Sequence, residues 1–484
     1  MVGERLARIL GRASLSQGVR PVSPEDRRLS GLDLAVLWGD LAIGLLVLVT
    51  GALLVPALGL PKALLAVLVG STVGCLPLAL VGSAGAREGI PSMVLFRPIL
   101  GARGSYVPSI LNLAQLLGWT AVEFWAMGRI ANAVSVELFG FDSYAFWLAI
   151  VAIVCTGLAI GGPVLVVRKW LERFGLWVLS AAGLFITYKL VTAGSFQDAL
   201  RAPGAGGFPS FWAAVDLVIV MPISWLPLVA DYNRFAKRDA RVFAGTYCGY
   251  FLGNAWFYAL GALLVLSAGA TADVEAIGTA IISVAGGVLV LMVLLAGETD
   301  EAFANIYSGA VSVQNVAPRI PQLSLILGVS AAGFLLALFL TMDLFESFLY
   351  LIGSVFVPLF GVFAASYFVL GRRDFSERDL FEPGGRAWYR SGVNWAAFVP
   401  WTAGFLVYHW NAPLAPDAWM RGVETLIHNW LGLPFPLFGG AIGASAPGFV
   451  VAFLLALLVL APRRHVREGA PSSEGQRTGP PTRS

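Results

Sequence analysis

Three carboxylates stand close together in the sequence, at the end of a long apolar run. In a helix, Glu298 and Glu301 would share one face, while Ala296, Thr299 and Asp300 would share another. A charge at the centre of a bilayer costs about 2.5–3.5 kcal/mol on insertion scales, so three of them should not face lipid. The segment therefore predicts a bound cation, a water-filled cavity, a basic partner or protonated acids. The alternative is that the apolar run ends earlier and the carboxylates form a solvated helix end.

A second set of polar residues recurs every four positions within another apolar stretch. Gln115, Trp119 and Glu123 would form one stripe along a helix. An aromatic face between an amide and a carboxylate suits a flat heterocycle that stacks and forms hydrogen bonds. The alternative is a packed Trp119, with Glu123 paired to a residue of another helix or to Arg129. Asp40 is a further acid in an apolar run, and it lies either within the membrane or near its cytoplasmic surface.

The segments that carry these residues are long and apolar. The chain has 484 residues, of which 57% are hydrophobic and 13% charged, whereas a soluble protein carries about 25% charged residues. Runs of about 20 residues without alternation indicate membrane-spanning helices rather than barrel strands. The sequence therefore predicts an all-α, polytopic membrane protein with twelve transmembrane helices. The predicted spans are 33–58, 61–84, 106–134, 144–166, 172–194, 211–231, 243–268, 280–305, 323–342, 345–370, 393–410 and 437–461.

Basic residues support this number of spans. Of the 32 Lys and Arg residues, 27 fall in every second segment between spans, starting with the N-terminal tail and including Arg168, Lys169 and Arg173. The remaining five are Lys62, Arg129, Lys189, Arg201 and Arg421. Because cytoplasmic loops carry the excess of Lys and Arg, both termini are predicted to be cytoplasmic in a multi-pass protein of the plasma (inner) membrane.

Spans one and six are interrupted at corresponding places. The first contains Gly39, Gly44 and Gly51, and the sixth contains Pro222 and Pro227. Proline removes a helix donor, and helices broken at midmembrane expose carbonyls and helix ends that hold an ion and a small substrate. The offset of five spans predicts two inverted five-helix repeats. The alternative is that these residues serve packing or kinks, as they do in membrane helices generally.

The predicted organisation follows from this offset. It comprises a cytoplasmic N-terminal tail (1–32), a transport core of two repeats (33–371, divided into 33–194 and 211–371), a cytoplasmic loop with helices 11 and 12 (372–462), and a C-terminal tail (463–484). Both tails are rich in Arg, Ser, Gly and Pro and are expected to be disordered. The segment 412–436 fits neither span nor loop clearly.

Several classes of function are not supported. A membrane enzyme would need a nucleophile, metal cluster or cofactor motif, and the sequence presents none, so an enzyme is not expected and no cofactor is predicted. The basic residues are explained by topology, so a nucleic-acid partner is not expected. The cysteines and histidines are too scattered for a disulfide framework or a zinc site. They are Cys75, Cys155, Cys248, His409, His428 and His465.

Four sequence motifs resemble the nucleobase:cation symporter-1 family, also called the purine/cytosine permease family. They are found within residues 89–104, 118–119, 230–235 and 299–305. The resemblance covers residues 20–460 and is closest to the hydroxymethylpyrimidine/cytosine permease branch, through residues 224–227 and 298–305. It implies a leucine-transporter-like fold of two inverted five-helix repeats plus two helices.

The resemblance also implies a substrate site between helices 1, 3, 6 and 8. Trp119 would stack on the substrate ring, Glu123 and Asn305 would bond its edge, and Gln115 belongs to the same stripe. Trp225 lies nearly one turn after Pro222, which occupies the position of a second stacking tryptophan in some relatives. Trp225 is therefore an expected but unsettled second aromatic wall. Leu46 stands where some relatives have a polar ligand.

The implied cation site uses carbonyl groups of helix 1 and groups of helix 8. They correspond to Ala42, Leu45, Ala296, Thr299 and Asp300. Some sodium-coupled relatives have two hydroxyl residues where Thr299 and Asp300 stand. Since an acid at this place can favour Na⁺ or take up a proton itself, both Na⁺ and H⁺ stay open as the coupling ion.

The sequence thus predicts a secondary active transporter that imports a pyrimidine-type substrate, hydroxymethylpyrimidine or cytosine, by cation symport through alternating access. The expected partners are a small heterocycle, a cation and the lipid bilayer. The alternatives are an importer of another heterocycle, such as a purine, allantoin or a hydantoin, and an uncoupled facilitator or channel.

Overall fold

The computed structural model describes residues 18–161, 175–193, 195–283, 286–341, 345–373, 375–412, 417–437 and 441–461. The C-terminal tail 463–484, the basic group at 168–173 and the facing ends of the fourth and fifth predicted spans lie outside these residues.

Helices account for the regular structure of the first half of the chain. They are α1 (Gly31–Asp40), α2 (Leu45–Ala52), α3 (Leu60–Glu88), α4 (Ser92–Leu95), α5 (Arg97–Leu100), α6 (Tyr106–Phe139), α7 (Tyr144–Gly161), α8 (Leu176–Thr192) and α9 (Ser195–Arg201).

The second half is built in the same way. It contains α10 (Phe211–Trp225), α11 (Val229–Asn233), α12 (Arg241–Ala268), α13 (Val274–Ile282), α14 (Gly287–Val316), α15 (Gln322–Ala337), α16 (Phe345–Ala364), α17 (Glu377–Phe381), α18 (Trp395–Asn411), α19 (Asp417–Glu424) and α20 (Ser445–Leu460). Within the described ranges there is no β-strand, only an isolated bridge between Leu29 and Ala236. The all-α prediction is therefore confirmed.

The predicted spans differ in how apolar their helices are. In the described residues, four helices are long and apolar enough to cross a membrane, or six if two bent pairs each count as one span. The 34-residue α6 and the 30-residue α14 are not among them, although both are long enough. Both helices carry buried polar side chains, which lowers their mean hydropathy while the polar groups face the protein interior.

Helix packing has the pairwise symmetry expected of two repeats. The first span, α1 with α2, packs on α12, and the sixth span, α10 with α11, packs on α3. In the same way α6 packs on α15 and α14 packs on α7, while α6 and α14 pack on each other. If each helix is replaced by the one five spans away, the contact of the first span with α12 becomes the contact of the sixth span with α3. In the same way the contact of α6 with α15 becomes the contact of α14 with α7.

Both predicted interruptions are real breaks. Between α1 and α2 the chain bends by 58°, and Gly44 is extended at φ −145° and ψ 166°. A Cβ atom at Gly44 would collide with the carboxylate oxygens of Glu298 and Glu301, so glycine leaves room for these two side chains beside the break. In the sixth span, α10 ends at Trp225 and α11 begins at Val229, because Pro227 has no backbone N–H to continue the helix.

The predicted limits of two spans are wrong. The eighth span was expected at 280–305, but α14 runs from Gly287 to Val316. It continues because the polar residues of its second half are buried against other helices, so falling hydropathy does not mark its end. The last span was expected from 437, but α20 begins at Ser445. Part of the unclear segment forms the short α19, followed by a π-helical turn at Thr425–Trp430.

The expectation of disorder in the N-terminal tail is wrong for its last part. Residues 18–30 pack on the helical core, with Val22 and Leu29 almost fully buried. The Arg27 side chain donates to the carbonyls of Val22 and of Ala86, Arg87 and Glu88 at the C-terminal end of α3. These bonds fasten the tail to the end of a transmembrane helix.

Candidate functional site at the two helix breaks

A small cavity lies where the two broken spans meet α6 and α14. It is lined by Leu46 of α2, Trp119 and Glu123 of α6, Met221, Ser224 and Trp225 of α10, and Glu301 and Asn305 of α14. Helices 1, 3, 6 and 8 of the predicted numbering therefore all contribute to it. None of the lining residues is basic.

Aromatic neighbours hold the two tryptophans of the cavity. Trp119 makes edge contacts with Phe345 and Phe348 of α16, at ring-centre distances of 6.0 and 5.4 Å. Trp225 makes an edge contact with Trp38 of α1 at 6.0 Å. Such contacts fix ring orientation, so Trp119 and Trp225 form walls whose planes are set by the surrounding helices.

Gln115 has a different position from the one its stripe predicts. It is buried but does not line the cavity. Its side-chain N–H₂ donates to Asn112 Oδ1 at 2.8 Å and to the carbonyl of Ser224 at 2.9 Å. Ser224 lies at the end of α10, so Gln115 positions the break of the sixth span from α6.

Three glutamates meet beside the cavity. One side-chain oxygen from each of Glu123, Glu298 and Glu301 can be chosen so that all lie within 4.8 Å of one another. All three residues are at most 6% exposed, and in the described part of the chain none pairs with a basic side chain. Arg129 instead pairs with Glu275 at 3.6 Å, so the alternative of a Glu123–Arg129 pair is wrong.

The break of the first span supports one of these carboxylates. The backbone N–H of Leu45, in the first turn of α2, donates to Glu298 Oε1. An N-terminal helix end stabilises a negative charge. Glu298 is thus held by α2, whereas Glu123 and Glu301 are the members of the group that line the cavity.

The predicted cation ligands divide into two environments. Ala42, Leu45 and Asp300 are buried, and the carboxyl group of Asp300 lies within hydrogen-bonding reach of Asp40, which is 2% exposed. Asp40 therefore lies at the break in the protein interior.

The other ligands lie on the outer side of α14. Ala296 is exposed and, together with Asp300, lines a groove beside α8. The hydroxyl of Thr299 donates to the carbonyl of Ala296 at 2.6 Å. The structure thus places Asp300 between the groove and the break, with Ala296 on the groove side and the Thr299 hydroxyl bonded within its own helix.

Sequence reasoning missed part of the cavity wall. It placed Glu298 and Glu301 on one helical face and expected them to meet a cation, water or a basic partner or to be protonated, but it named neither them nor Met221 and Ser224 as substrate-site residues. The spacing of Glu298, Glu301 and Asn305 by three and four residues could have identified the face of α14 that meets the cavity. The alternative of a solvated helix end is wrong, because these residues lie in the middle of α14 and are buried.

Known proteins resemble the chain over most of its length. Residues 21–428 match a family described as permease for cytosine/purines, uracil, thiamine, allantoin. The hydantoin permease of Microbacterium maritypicum is 25% identical over 462 residues, covering 89% of this chain and 92% of that protein. The cytosine permease of Escherichia coli (strain K12) is 26% identical over 390 residues, covering 76% and 83%.

A solved structure has the same arrangement of helices. It is a nucleobase-cation-symport-1 family transporter in a closed conformation with bromovinylhydantoin bound. The TM-score is 0.76 at 21% sequence identity, and the match covers 92% of this chain and 94% of that chain. At this identity the likeness establishes the fold.

Proposed function

Because the chain belongs to the family of permeases for cytosine and purines, uracil, thiamine and allantoin, we propose that it imports a pyrimidine-type heterocycle together with a cation. The resemblance read from the sequence is confirmed at the level of the family, and the chain is a membrane transporter rather than an enzyme. Hydroxymethylpyrimidine and cytosine are the proposed substrates. The observation that carries this proposal is the cavity between Trp119 and Trp225 at the two helix breaks.

The cavity offers the groups that a flat ring requires. In the proposed complex Trp119 and Trp225 cover the ring faces, while Glu123 and Asn305 bond its edge. Stacking on an aromatic side chain is worth about 1–3 kcal/mol per base, and two buried polar groups fix the orientation of the ring. Gln115 acts indirectly, because it holds the end of α10 on which Trp225 stands.

The cation is proposed to bind next to the same break. Carbonyl groups of Ala42 and Leu45 and the side chain of Asp300 are the proposed inner ligands, and Ala296 and Thr299 complete the site from the groove side. Hard cations such as Na⁺ prefer oxygen ligands, and carbonyl and carboxylate oxygens supply them. H⁺ is the other candidate ion, in which case Asp300 or its neighbour Asp40 carries it.

Coupled transport is proposed to follow because the cation and the substrate both bind at the break in the first span. Leu45 is a proposed cation ligand and Leu46, the next residue, lines the substrate cavity. A cation that orders this segment favours the conformation that binds substrate, and by linkage the substrate favours cation binding equally. Alternating access is proposed to arise from movement of the repeat 33–194 against the repeat 211–371, with both chain termini in the cytoplasm.

A second candidate substrate is a hydantoin. It is favoured by the similarity to the hydantoin permease of Microbacterium maritypicum. Hydantoins are also flat rings that can stack between two tryptophans, so the aromatic walls alone do not separate the two substrates.

Initial uptake rates in proteoliposomes test the proposal. Purified protein is reconstituted, and radiolabelled hydroxymethylpyrimidine, cytosine and hydantoin are supplied separately under an inward Na⁺ or H⁺ gradient. Saturable, gradient-stimulated uptake of one of the two pyrimidines supports the proposal. Uptake of hydantoin alone supports the second candidate, and no uptake of any of the three contradicts both.

A further inference from the structure

We propose that this cavity selects heterocycles whose edge presents an amino group beside a ring nitrogen, and rejects oxo analogues of the same size. The inference rests on the proposed function and narrows its substrate class. It starts from two carboxylates, Glu123 and Glu301, that line the same small cavity without a basic residue among the lining side chains.

Both carboxylates have hydrogen-bonding capacity left over. Glu123 is 1% exposed and Glu301 6% exposed. Glu123 Oε2 and Glu301 Oε1 are buried and, apart from a proton shared with the neighbouring glutamates, have no hydrogen-bond partner in the part of the chain that the structure describes. Their neighbour Glu298 differs, since it accepts the Leu45 N–H at the start of α2. Glu298 Oε2 is likewise without a partner among the described residues, but of these three unused acceptors only those of Glu123 and Glu301 belong to residues that line the cavity.

A buried donor that lines the same cavity is an independent sign of a ligand. The indole N–H of Trp119, a residue 5% exposed, is buried and also has no hydrogen-bond partner within the described ranges. Asn305 adds an amide that can donate or accept. The cavity thus combines several strong acceptors with few donors, between aromatic walls.

This excess of hydrogen-bond acceptors over donors determines which edge of a ring the cavity can bind. An ionised carboxylate only accepts hydrogen bonds, and two parallel N–H groups can bind its two oxygens together. In cytosine, adenine and hydroxymethylpyrimidine the ring nitrogen beside the amino group is an acceptor, so it offers such a pair only after it takes up a proton, which the adjoining glutamic acid groups can donate. The ring then carries a positive charge, which adds cation–π attraction to the tryptophan walls. A ring carbonyl in the same place would turn its oxygen toward a carboxylate and leave both without a donor.

The expected discrimination is large. A site built to hydrogen-bond a substrate group rejects analogues that lack it by far more than a pocket that senses only size. We expect each amino compound to bind at least about tenfold more tightly than its oxo partner. A metal ion held by the three glutamates would reverse this order, because a bound cation attracts ring carbonyls.

The experiment compares pairs of rings that differ at the amino position. Affinities of the purified full chain are measured by calorimetry for cytosine and uracil, for adenine and hypoxanthine, and for hydroxymethylpyrimidine and its 4-oxo analogue. Each titration is carried out in NaCl and in choline chloride at equal ionic strength. Tighter binding of the amino member in every pair that binds, in both salts, supports the proposal.

Isosteric variants test whether the carboxylates cause the preference for amino over oxo compounds. Glu301→Gln and Glu123→Gln each replace an acceptor oxygen with an amide donor, so both should reduce the amino-over-oxo ratio at least about tenfold. Glu137→Gln is the matched control, because Glu137 lies on the same helix as Glu123 but is exposed. The control should keep the wild-type ratio.

Three results would overturn the inference. The first is an oxo compound that binds as well as or better than its amino partner, in either salt. The second is an unchanged ratio in both glutamine variants, provided that they elute as monodisperse protein. The third is binding of neither member of any pair, which contradicts the proposed function as well. A ranking that fails while some ring still binds contradicts the inference alone.

Discussion

Replacement of Trp119 by alanine should weaken substrate binding more than any other single truncation at the aromatic walls. Trp119 lines the cavity from α6 and is fixed by edge contacts with Phe345 and Phe348. Its removal takes away one face of the proposed stacking site. It also removes the support for two phenylalanine rings, which can then move into the space left behind.

The magnitude follows from stacking energies. Loss of one aromatic partner costs about 1–3 kcal/mol of binding free energy, which corresponds to about 5- to 150-fold weaker affinity. Truncation of a buried tryptophan also destabilises a protein by about 3–5 kcal/mol. A loss of binding must therefore be separated from a loss of folded protein. Trp119→Phe keeps an aromatic face and should retain most of the affinity.

The assay is equilibrium binding of radiolabelled cytosine or hydroxymethylpyrimidine to purified protein, together with saturable uptake in proteoliposomes. Trp430→Ala is the control, because Trp430 is 77% exposed and lies outside the cavity. We expect the apparent affinity for uptake to fall about 5- to 150-fold in Trp119→Ala and to stay close to the wild-type value in Trp119→Phe and in the control. An unchanged apparent affinity in folded Trp119→Ala would refute the stacking role and remove this residue from the site.

Three further variants test other parts of the account. Gly44→Ala places a Cβ against two glutamates of α14, so uptake should fall at least about tenfold while membrane expression persists. Wild-type uptake rates would contradict the close contact between Gly44 and these two glutamates. Asp300→Asn should change the dependence of uptake on Na⁺ or H⁺ more than the ranking of substrates, and an unaltered ion profile would remove it from the cation site. The Asp216 carboxylate accepts hydrogen bonds from the backbone N–H groups of Ala444 and Ser445 at the start of α20, at 2.6 and 3.0 Å. Asp216→Asn should therefore destabilise the protein by about 1–3 kcal/mol and lower Tm in detergent. An unchanged Tm would mean that these bonds contribute little to stability.

The large features of the fold could be predicted because the bilayer restricts the choices. Backbone groups in lipid must bond within their own helix, so apolar length and basic loops are enough to place most spans. The break in the first span could be located from its glycines and that in the sixth from its prolines, since these residues act on the local backbone.

Features that depend on neighbouring helices could not be predicted in this way. The end of α14 was placed too early, because the hydropathy of a segment does not reveal that its polar residues face other helices. The role of Gln115 was missed for a similar reason, since its partner Ser224 is 109 positions away in sequence. The same limit applies to the meeting of Glu123 with Glu298 and Glu301, which only the packing of α6 on α14 brings about.

The most direct test of cation-coupled import is the steady-state accumulation ratio of the labelled pyrimidine in proteoliposomes. The internal and external concentrations are compared at plateau, with an inward Na⁺ gradient, with an inward H⁺ gradient and with neither. Cation-coupled import predicts an internal concentration well above the external one with one of the two gradients, and a return to equal concentrations when an ionophore abolishes that gradient. Equal concentrations under every condition, with uptake still saturable, would contradict coupling and identify a facilitator.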